Sequence, residues 1–257
     1  MTAETPTPIP AATLVVFRTG RQGGPPEILM VTRSRELVFA GGMAVFPGGR
    51  LDPADRELAE TLAQGGDVED VAHRIAAIRE TLEETGLAVG FAQNCDAQCA
   101  RRARDIALAS GALAPAMEAC GLTLDIEALV PFARWLPLGL AHDRIFDTRF
   151  YLADLGTGAV DIAVDETENT SLFWVTAEQA LAQAKRGEIS LIFPTRRNLE
   201  RLAQFGSFAE AKAHAEATPQ RIITPSIETT EQGRVLRIPD DLGYPVIEER
   251  FDSALRG

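Results

Sequence analysis

The sequence contains few of the residues that crosslink a chain or bind zinc. There are three cysteines and three histidines in 257 residues. An odd number of cysteines, all between Cys95 and Cys120, does not make the dense disulfide framework of a small secreted protein. The histidines are scattered, and no second cysteine pair completes the four ligands of a structural zinc site. We therefore predict a protein with reduced thiols, without structural zinc and located in the cytoplasm.

Basic residues are also scarce relative to acidic ones. The chain has 25 Lys and Arg against 37 Asp and Glu, which gives a formal net charge of −12. Non-specific binding of nucleic acid depends on Lys and Arg that neutralise phosphates, so the composition argues against a nucleic-acid partner. An anionic small molecule would need a local bridge to such a protein. Bound divalent cations can supply that bridge, because they neutralise carboxylates and phosphates together.

Long apolar runs are absent as well. No run approaches the roughly 18 residues that span a bilayer, so we expect no membrane partner. The first residues, MTAETPTPIPAA, lack the basic start and apolar core of a signal peptide, and we predict a flexible tail over residues 1–10. No Ser/Gly-rich linker divides the rest, which indicates a single domain over residues 11–257.

Strand-like and helix-like segments alternate along this domain. Apolar, β-branched runs between turns predict strands at 12–18, 27–34, 43–46, 129–137, 147–155 and 171–176. Helical patterns bounded by Gly and Pro follow at 177–187, 194–206 and 207–217. An Ala-rich segment, 95–120, predicts one or two helices outside the main sheet, and short strand signals come near the end of the chain. This order favours the α/β class, a sandwich with a mixed sheet and extra helices.

The segment from Asp67 to Gly86 predicts a helix whose two sides differ. Asp67 is suited to cap its start and Gly86 to end it. At about 100° per residue, one side is a narrow apolar stripe of Val71, Ile75, Ile78 and Leu82. The side turned away from the stripe has three carboxylates, Glu80, Glu83 and Glu84. Their mutual repulsion would be reversed by a hard cation such as Mg²⁺ or Mn²⁺, although such charge runs commonly form only a solvated face.

Together with its neighbours, this segment resembles a Nudix box. The family pattern is Gly, five residues, Glu, seven residues, then Arg-Glu-apolar-x-Glu-Glu-x-Gly-apolar. The second half of that pattern is present at the required spacing as Arg79, Glu80, Glu83, Glu84, Gly86 and Leu87, with Thr81 in the apolar place. Upstream, FPGG at 46–49 resembles the loop that precedes the box, which makes Gly49 its first glycine. The resemblance implies a Nudix-type α/β/α sandwich.

The box departs from the family pattern in its first half. Asp55 stands where the family has Glu, and 23 residues, 56–78, separate it from Arg79, an insertion of 16. The inserted residues, at about 56–66, include Gly65 and Gly66 and fall between the loop and the helix. We expect this insertion to bulge outward while both halves of the box keep their places. The segment 95–120 is a second insertion.

The resemblance implies a role for each box residue. Glu80 and Glu84 would bind Mg²⁺ or Mn²⁺, with Glu83 as a third ligand or as the carboxylate that positions water. Arg79 would hold a neighbouring glutamate by charge-assisted hydrogen bonds, or it forms an ordinary salt bridge. The predicted catalytic residues are Glu83, Arg79 and two acidic residues that precede a strand, Glu166 and Glu168. The predicted substrate-binding residues are Arg33, Gly48 and Gly49, and further candidates for binding phosphate are Arg35, Arg144 and Arg149.

The residues before the box indicate a branch of the family. The run 28–34 and the stretch 41–49 partly match the signature of coenzyme A diphosphatases, but Val38 stands where that signature has arginine. The interrupted box is closer to the acyl-CoA diphosphatase branch, whose box also contains an insertion. This implies metal-dependent cleavage of a diphosphate linkage, with coenzyme A or an acyl-CoA as the lead substrate. The alternatives are an ADP-ribose or nucleotide-sugar diphosphatase, a non-catalytic ligand-binding protein with the Nudix fold, and a metal-free acidic α/β protein. We also expect a homodimer, because dimers are frequent among soluble enzymes.

Overall fold

The computed structural model describes residues 7–20, 23–34, 40–138, 140, 144–156, 169–231 and 233–251. The helices in these ranges are α1 Pro53–Leu62, α2 Val68–Thr85, α3 Ala97–Ser110, α4 Ala114–Cys120, α5 Ala177–Lys185, α6 Phe193–Leu202 and α7 Phe208–Ala217. The strands are β1 Ile9–Arg18, β2 Glu27–Arg33, β3 Ala44–Val45, β4 Gly48–Arg50, β5 Val130–Trp135, β6 Phe146–Asp154, β7 Asn169–Val175, β8 Ile222–Ile223, β9 Ser226–Thr230, β10 Gly233–Arg237 and β11 Glu248–Arg250.

The main sheet is mixed, as the sequence predicted. Its strands follow the order β3-β2-β1-β6-β5-β8, with β4 also paired to β1 and β7 to β2. β1 runs parallel to β6 and antiparallel to both β2 and β4, and β5 runs antiparallel to β6. A separate sheet of three strands is formed by β9, β10 and β11. β1 therefore lies inside the main sheet and brings β4 beside it.

The apolar run in β1 shows why the sheet is covered on both faces. Leu14, Val15, Val16 and Phe17 are each at most 1% exposed. Successive side chains of a strand point to opposite faces. Accordingly, Leu14 and Val16 belong to one core cluster and Val15 and Phe17 to the other. An uninterrupted apolar run is typical of a strand buried on both sides, and it sets up a sandwich with helices on each face.

The two cores divide the helices into layers. The core that contains Leu14 and Val16 joins the sheet to α1, α2, α3 and α4. The core that contains Val15 and Phe17 joins it to α5, α6 and α7. This confirms the predicted α/β sandwich with extra helices. Within the ranges that the structure describes, no helix is both long and apolar enough to cross a membrane.

Helix α2 begins and ends where its sequence predicts. The Asp67 carboxylate accepts hydrogen bonds from the backbone N–H groups of Glu69 and Asp70, and Gly86 ends the helix with a φ of 74°. The predicted apolar stripe is buried, but the prediction that it is narrow was wrong. Alanines and threonines outside the stripe are also buried, and α1 and α3 pack against α2 in addition to the sheet.

The inserted segment after Asp55 does not form the outward bulge that we predicted. Residues 53–62 form helix α1, which packs against α2. Asp52 precedes this helix, Pro53 is its first residue, and the Asp55 carboxylate accepts a hydrogen bond from the backbone N–H of Asp52 at 2.9 Å. The insertion therefore adds a helix that packs against α2, and Asp55 in the first turn of this helix is buried.

Candidate active site

The strand β4, which precedes α1, meets the C-terminal half of α2. The backbone N–H of Gly48 donates to Glu84 Oε2 at 3.0 Å, and Glu84 is only 3% exposed. Gly48 itself lies against β1, where an added Cβ would come within 2.4 Å of the carbonyl oxygen of Ala12. The pairing of β4 with β1 thus fixes the backbone of Gly48. The N–H of Gly48 in turn fixes the carboxylate of Glu84 on α2.

Gly49 leaves room for a second carboxylate. A Cβ built on Gly49 would lie 2.4 Å from Glu80 Cδ and 2.5 Å from Glu80 Oε1. The carboxylate of Glu80 therefore lies directly against the backbone of Gly49 in β4. Only glycine permits this approach without displacement of the glutamate.

We expect Gly49→Ala to lower kcat/KM by roughly 10-fold or more, because a misplacement of about 1 Å in an active site can cost that much or more. The added methyl must move the Glu80 carboxylate, since the two groups overlap. Gly206→Ala is the matched control, because a Cβ there meets nothing closer than 3.6 Å. Steady-state kinetics of both variants test this expectation, and an equal effect of the two changes would contradict it.

Arg79 organises the carboxylates around its guanidinium group. Its Nε and Nη2 donate to the two oxygens of Asp55 at 3.0 Å each, and Nη2 also donates to the carbonyl oxygen of Arg50 at 3.0 Å. Its Nη1 donates to Glu83 Oε2 at 2.9 Å and lies 3.0 Å from Glu80 Oε1. The Arg79 side chain is only 3% exposed. One buried cation therefore fixes three carboxylates, two of them on its own helix.

The site contains more negative charge than this arginine can neutralise. Burial raises the pKa of Glu80 to about 8, and the charges of Glu84 and Glu83 add to the rise, while Arg79 opposes it. Burial likewise raises the pKa of Glu83. Burial on its own would lower the pKa of Arg79, but its hydrogen bonds with Asp55 and the charges of the nearby carboxylates raise it far above the ordinary value. The balance of charge favours an additional cation beside Glu80 and Glu84.

The donor set fits a hard divalent cation by its chemistry, since Mg²⁺ and Mn²⁺ prefer carboxylate oxygens. Among the residues that the structure describes, no three Asp, Glu, His or Cys side chains are already arranged as a metal shell. The contacts explain this. Glu80 and Glu83 turn toward Arg79, whereas Glu84 turns toward the N–H of Gly48. Cation binding would therefore require a rotation of these side chains.

Comparisons with known proteins place the chain in a family. Residues 59–202 match the family described as the NUDT19 Nudix domain. The chain is 30% identical to the acyl-coenzyme A diphosphatase NUDT19 of Gallus gallus, over 85% of this chain and 73% of that protein. The chain belongs to the Nudix hydrolase family. A Nudix hydrolase from Alicyclobacillus acidocaldarius has a similar crystal structure, with a TM-score of 0.66, 26% identity, and coverage of 80% of this chain and 96% of that one. The predicted Nudix resemblance, fold class and enzyme class are confirmed.

The structure brings six of the predicted site residues together. They are Arg79, Glu80, Glu83 and Glu84 on α2 and Gly48 and Gly49 in β4. The Nudix box thus closes into one site although its two halves are separated by an insertion. The expectation that both halves keep their places agrees with these contacts.

Other predicted residues lie elsewhere or outside the described ranges. Glu166, Glu168 and Arg35 fall outside the described residues. Arg33 lies at the end of β2, and its Nε is buried without a hydrogen-bond partner among the described residues. Arg149 donates to Asp70 Oδ1 at 3.1 Å, near the N-terminal end of α2. That contact places Arg149 beside the start of α2, and its role in binding phosphate stays a prediction.

Asp55 and Arg104 are residues of this site whose roles the sequence did not reveal. Asp55 is 1% exposed and binds Arg79 through both oxygens. Arg104, in α3, donates from Nε to the carbonyl oxygen of Glu83 at 2.8 Å. The run Asp-Pro-x-Asp at 52–55 is a helix-start signal that would have predicted α1 and the position of Asp55 in its first turn. No comparable local signal identifies Arg104, because its partner is 21 residues away.

Proposed function

We propose that this Nudix hydrolase uses water to cleave the diphosphate linkage of coenzyme A or an acyl-CoA, with Mg²⁺ or Mn²⁺ as cofactor. The observation that supports the chemistry is the buried group of carboxylates around Arg79, pressed against the backbone of Gly48 and Gly49. The substrate class is supported by the similarity to the acyl-CoA diphosphatase of Gallus gallus.

Glu80 and Glu84 are the proposed metal ligands, with Glu83 as a third. Glu80 and Glu84 are both buried against the backbone of Gly48 and Gly49, and Arg79 Nη1 lies 3.0 Å from Glu80 Oε1. A divalent cation held there by Glu80 and Glu84 would lower the pKa of a bound water and would neutralise charge on the leaving phosphate. The backbone N–H of Gly48 holds Glu84 Oε2 beside β4, and Glu84 would turn from this contact to bind the cation.

Arg79 and Asp55 are proposed to position the other carboxylates. The two-point contact with Asp55 holds the guanidinium plane, and that plane aims Nη1 at Glu83 and Glu80. Glu83 is then placed to accept a proton from the attacking water. Glu166 and Glu168 remain proposed alternatives for this proton transfer.

Substrate contacts are proposed for β4 and β2. The backbone of Gly48 and Gly49 lies beside the carboxylates without side chains that would exclude a phosphate group. Arg33 offers a buried Nε that has no protein partner among the described residues, and a phosphate oxygen would satisfy it. We therefore expect Arg33→Gln to raise KM with a smaller effect on kcat.

An assay with four diphosphates tests the proposed function. Purified protein is incubated with coenzyme A, acetyl-CoA, ADP-ribose and a nucleotide sugar, each with Mg²⁺, with Mn²⁺ or with EDTA, and the products are identified by mass spectrometry. We expect metal-dependent cleavage of the CoA compounds at the diphosphate, absent in Glu84→Gln. Cleavage of ADP-ribose or the nucleotide sugar alone would contradict the substrate, and cleavage that persists in EDTA would contradict the cofactor.

A cytoplasmic location and a homodimer also remain proposals. The location is supported by the small number of cysteines, and all three are unpaired in the structure. The homodimer is supported only by the frequency of dimers among soluble enzymes. Light scattering coupled to size-exclusion chromatography tests the dimer, and a mass equal to the 27.7 kDa of one chain would contradict it.

A further inference from the structure

Helix α3, in the second insertion, packs closely on the helix that contains the box glutamates. Its buried face consists of Ala100, Ala103 and Ala107, and their small side chains let the two helices approach. Arg104 lies on the same side of α3, since it follows Ala100 by four residues and precedes Ala107 by three. This orientation brings its guanidinium to the end of α2, where Nε donates to the carbonyl oxygen of Glu83 at 2.8 Å.

Positive charge would stabilise the C-terminal end of α2. The last four carbonyls of a helix have no partner within the helix, and they form the negative end of its dipole. Lys or Arg in the last turn usually offsets this, but the last turn of α2 contains none. It contains Glu83 and Glu84 instead, whose charges add to the negative end of the dipole. Arg104 supplies from another helix the cation that this turn lacks.

Two arginines donate hydrogen bonds to Glu83, one to its carboxylate and one to its backbone carbonyl. Arg79 Nη1 donates to its carboxylate at 2.9 Å, and Arg104 Nε donates to its carbonyl at 2.8 Å. The first contact fixes the side chain, and the second fixes the backbone from which the side chain extends. Since Glu84 is the next residue, the same backbone contact also limits the movement of its carboxylate.

We propose that Arg104 is a positioning residue, by which the second insertion holds the last turn of α2 so that the backbone of Glu83 and Glu84 is in place for these carboxylates to bind a divalent cation. The proposal rests on the proposed function of these glutamates as metal ligands. Arg104 acts through the backbone of Glu83, and the role assigned to the insertion is to supply this contact.

The test measures Mn²⁺ binding directly, by electron paramagnetic resonance of free Mn²⁺, in the full-length protein without substrate. We expect Arg104→Gln to weaken Mn²⁺ binding by roughly 10-fold, the lower end of what loss of an outer partner of a metal ligand costs. Arg104→Lys keeps a cationic donor and should recover at least part of this loss. Arg102→Gln is the matched control, because it removes the same charge from an exposed position two residues away on α3.

Each alternative role of Arg104 gives a different result. Tighter Mn²⁺ binding in Arg104→Gln would show that the arginine acts only as a repelling charge, and unchanged binding would show that it only packs; both results overturn the proposal. Unchanged binding with a raised KM would assign Arg104 to the substrate instead and overturn it as well. Circular dichroism and thermal melting confirm that the variant is folded.

Failure of the proposed function can be distinguished from failure of this inference. Glu80→Gln is measured beside Arg104→Gln in the same Mn²⁺ titration. If the unmodified protein binds no Mn²⁺, or Glu80→Gln binds it equally well, the metal site itself is wrong. If Glu80→Gln loses binding and Arg104→Gln does not, only the positioning role is wrong.

Discussion

Glu80→Gln should reduce kcat/KM by about 10²- to 10⁴-fold, the range expected when a group that stabilises charge or transfers a proton in the transition state is lost. The amide keeps the shape of the side chain beside Gly49 but removes its negative charge. The thermal stability of the protein in EDTA should not fall, because burial and the neighbouring glutamates already disfavour the charged form and raise its pKa to about 8. Activity and stability therefore separate in this variant.

A cation-dependent melting experiment completes this prediction. A ligand that binds only the folded state raises the melting temperature, so Mn²⁺ should stabilise the unmodified protein and stabilise Glu80→Gln much less. Glu60→Gln is the matched control, because Glu60 is an exposed residue of the neighbouring helix α1 and the same charge is removed. Full activity in Glu80→Gln, or the same loss in Glu60→Gln, would reject Glu80 as a ligand.

Helix α2 was predictable because its signals are local. Asp67 and Gly86 mark its two ends, and the apolar spacing from Val71 to Leu82 identifies the side that faces the sheet. The spacing of the glutamates also indicated that they share a side. Most strands of the main sheet were found for a similar reason, since apolar runs such as Leu14 to Phe17 are typical of a strand buried on both faces. The strand β4, Gly48–Arg50, was predicted as a glycine-rich turn, and that prediction was wrong.

The burial of the acidic side was not predictable from α2 itself. Glu80, Glu83 and Glu84 are all largely buried, and the backbone of Gly48 and Gly49, on another element, lies against Glu84 and Glu80. Such contacts depend on how distant segments pack, which periodicity within one helix does not encode. In the small C-terminal sheet, β9 shows the same limit, because it consists mainly of exposed residues and offers no apolar pattern.

Arg79→Met should destabilise the fold by about 3–5 kcal/mol, the cost of leaving buried charge without its partner. Asp55 is 1% exposed, and the side chains of Glu80 and Glu83 are 15% and 13% exposed, so water would compensate them poorly. Arg56→Met is the matched control. Arg56 makes an equally good two-point contact with Glu69, at 2.7 and 3.0 Å, but both side chains are more than 40% exposed. Exposed pairs contribute about 0–1 kcal/mol.

The double variant Arg79→Met with Asp55→Asn separates stability from positioning. Removal of the second buried charge should recover part of the lost free energy of unfolding, because the two residues are in direct contact and their effects are not additive. Activity should not recover, since nothing then directs Glu83 and Glu80. Urea unfolding measures the first quantity and kcat/KM the second. If activity returned together with stability, Arg79 would serve only the fold, and the positioning role proposed for it would be wrong.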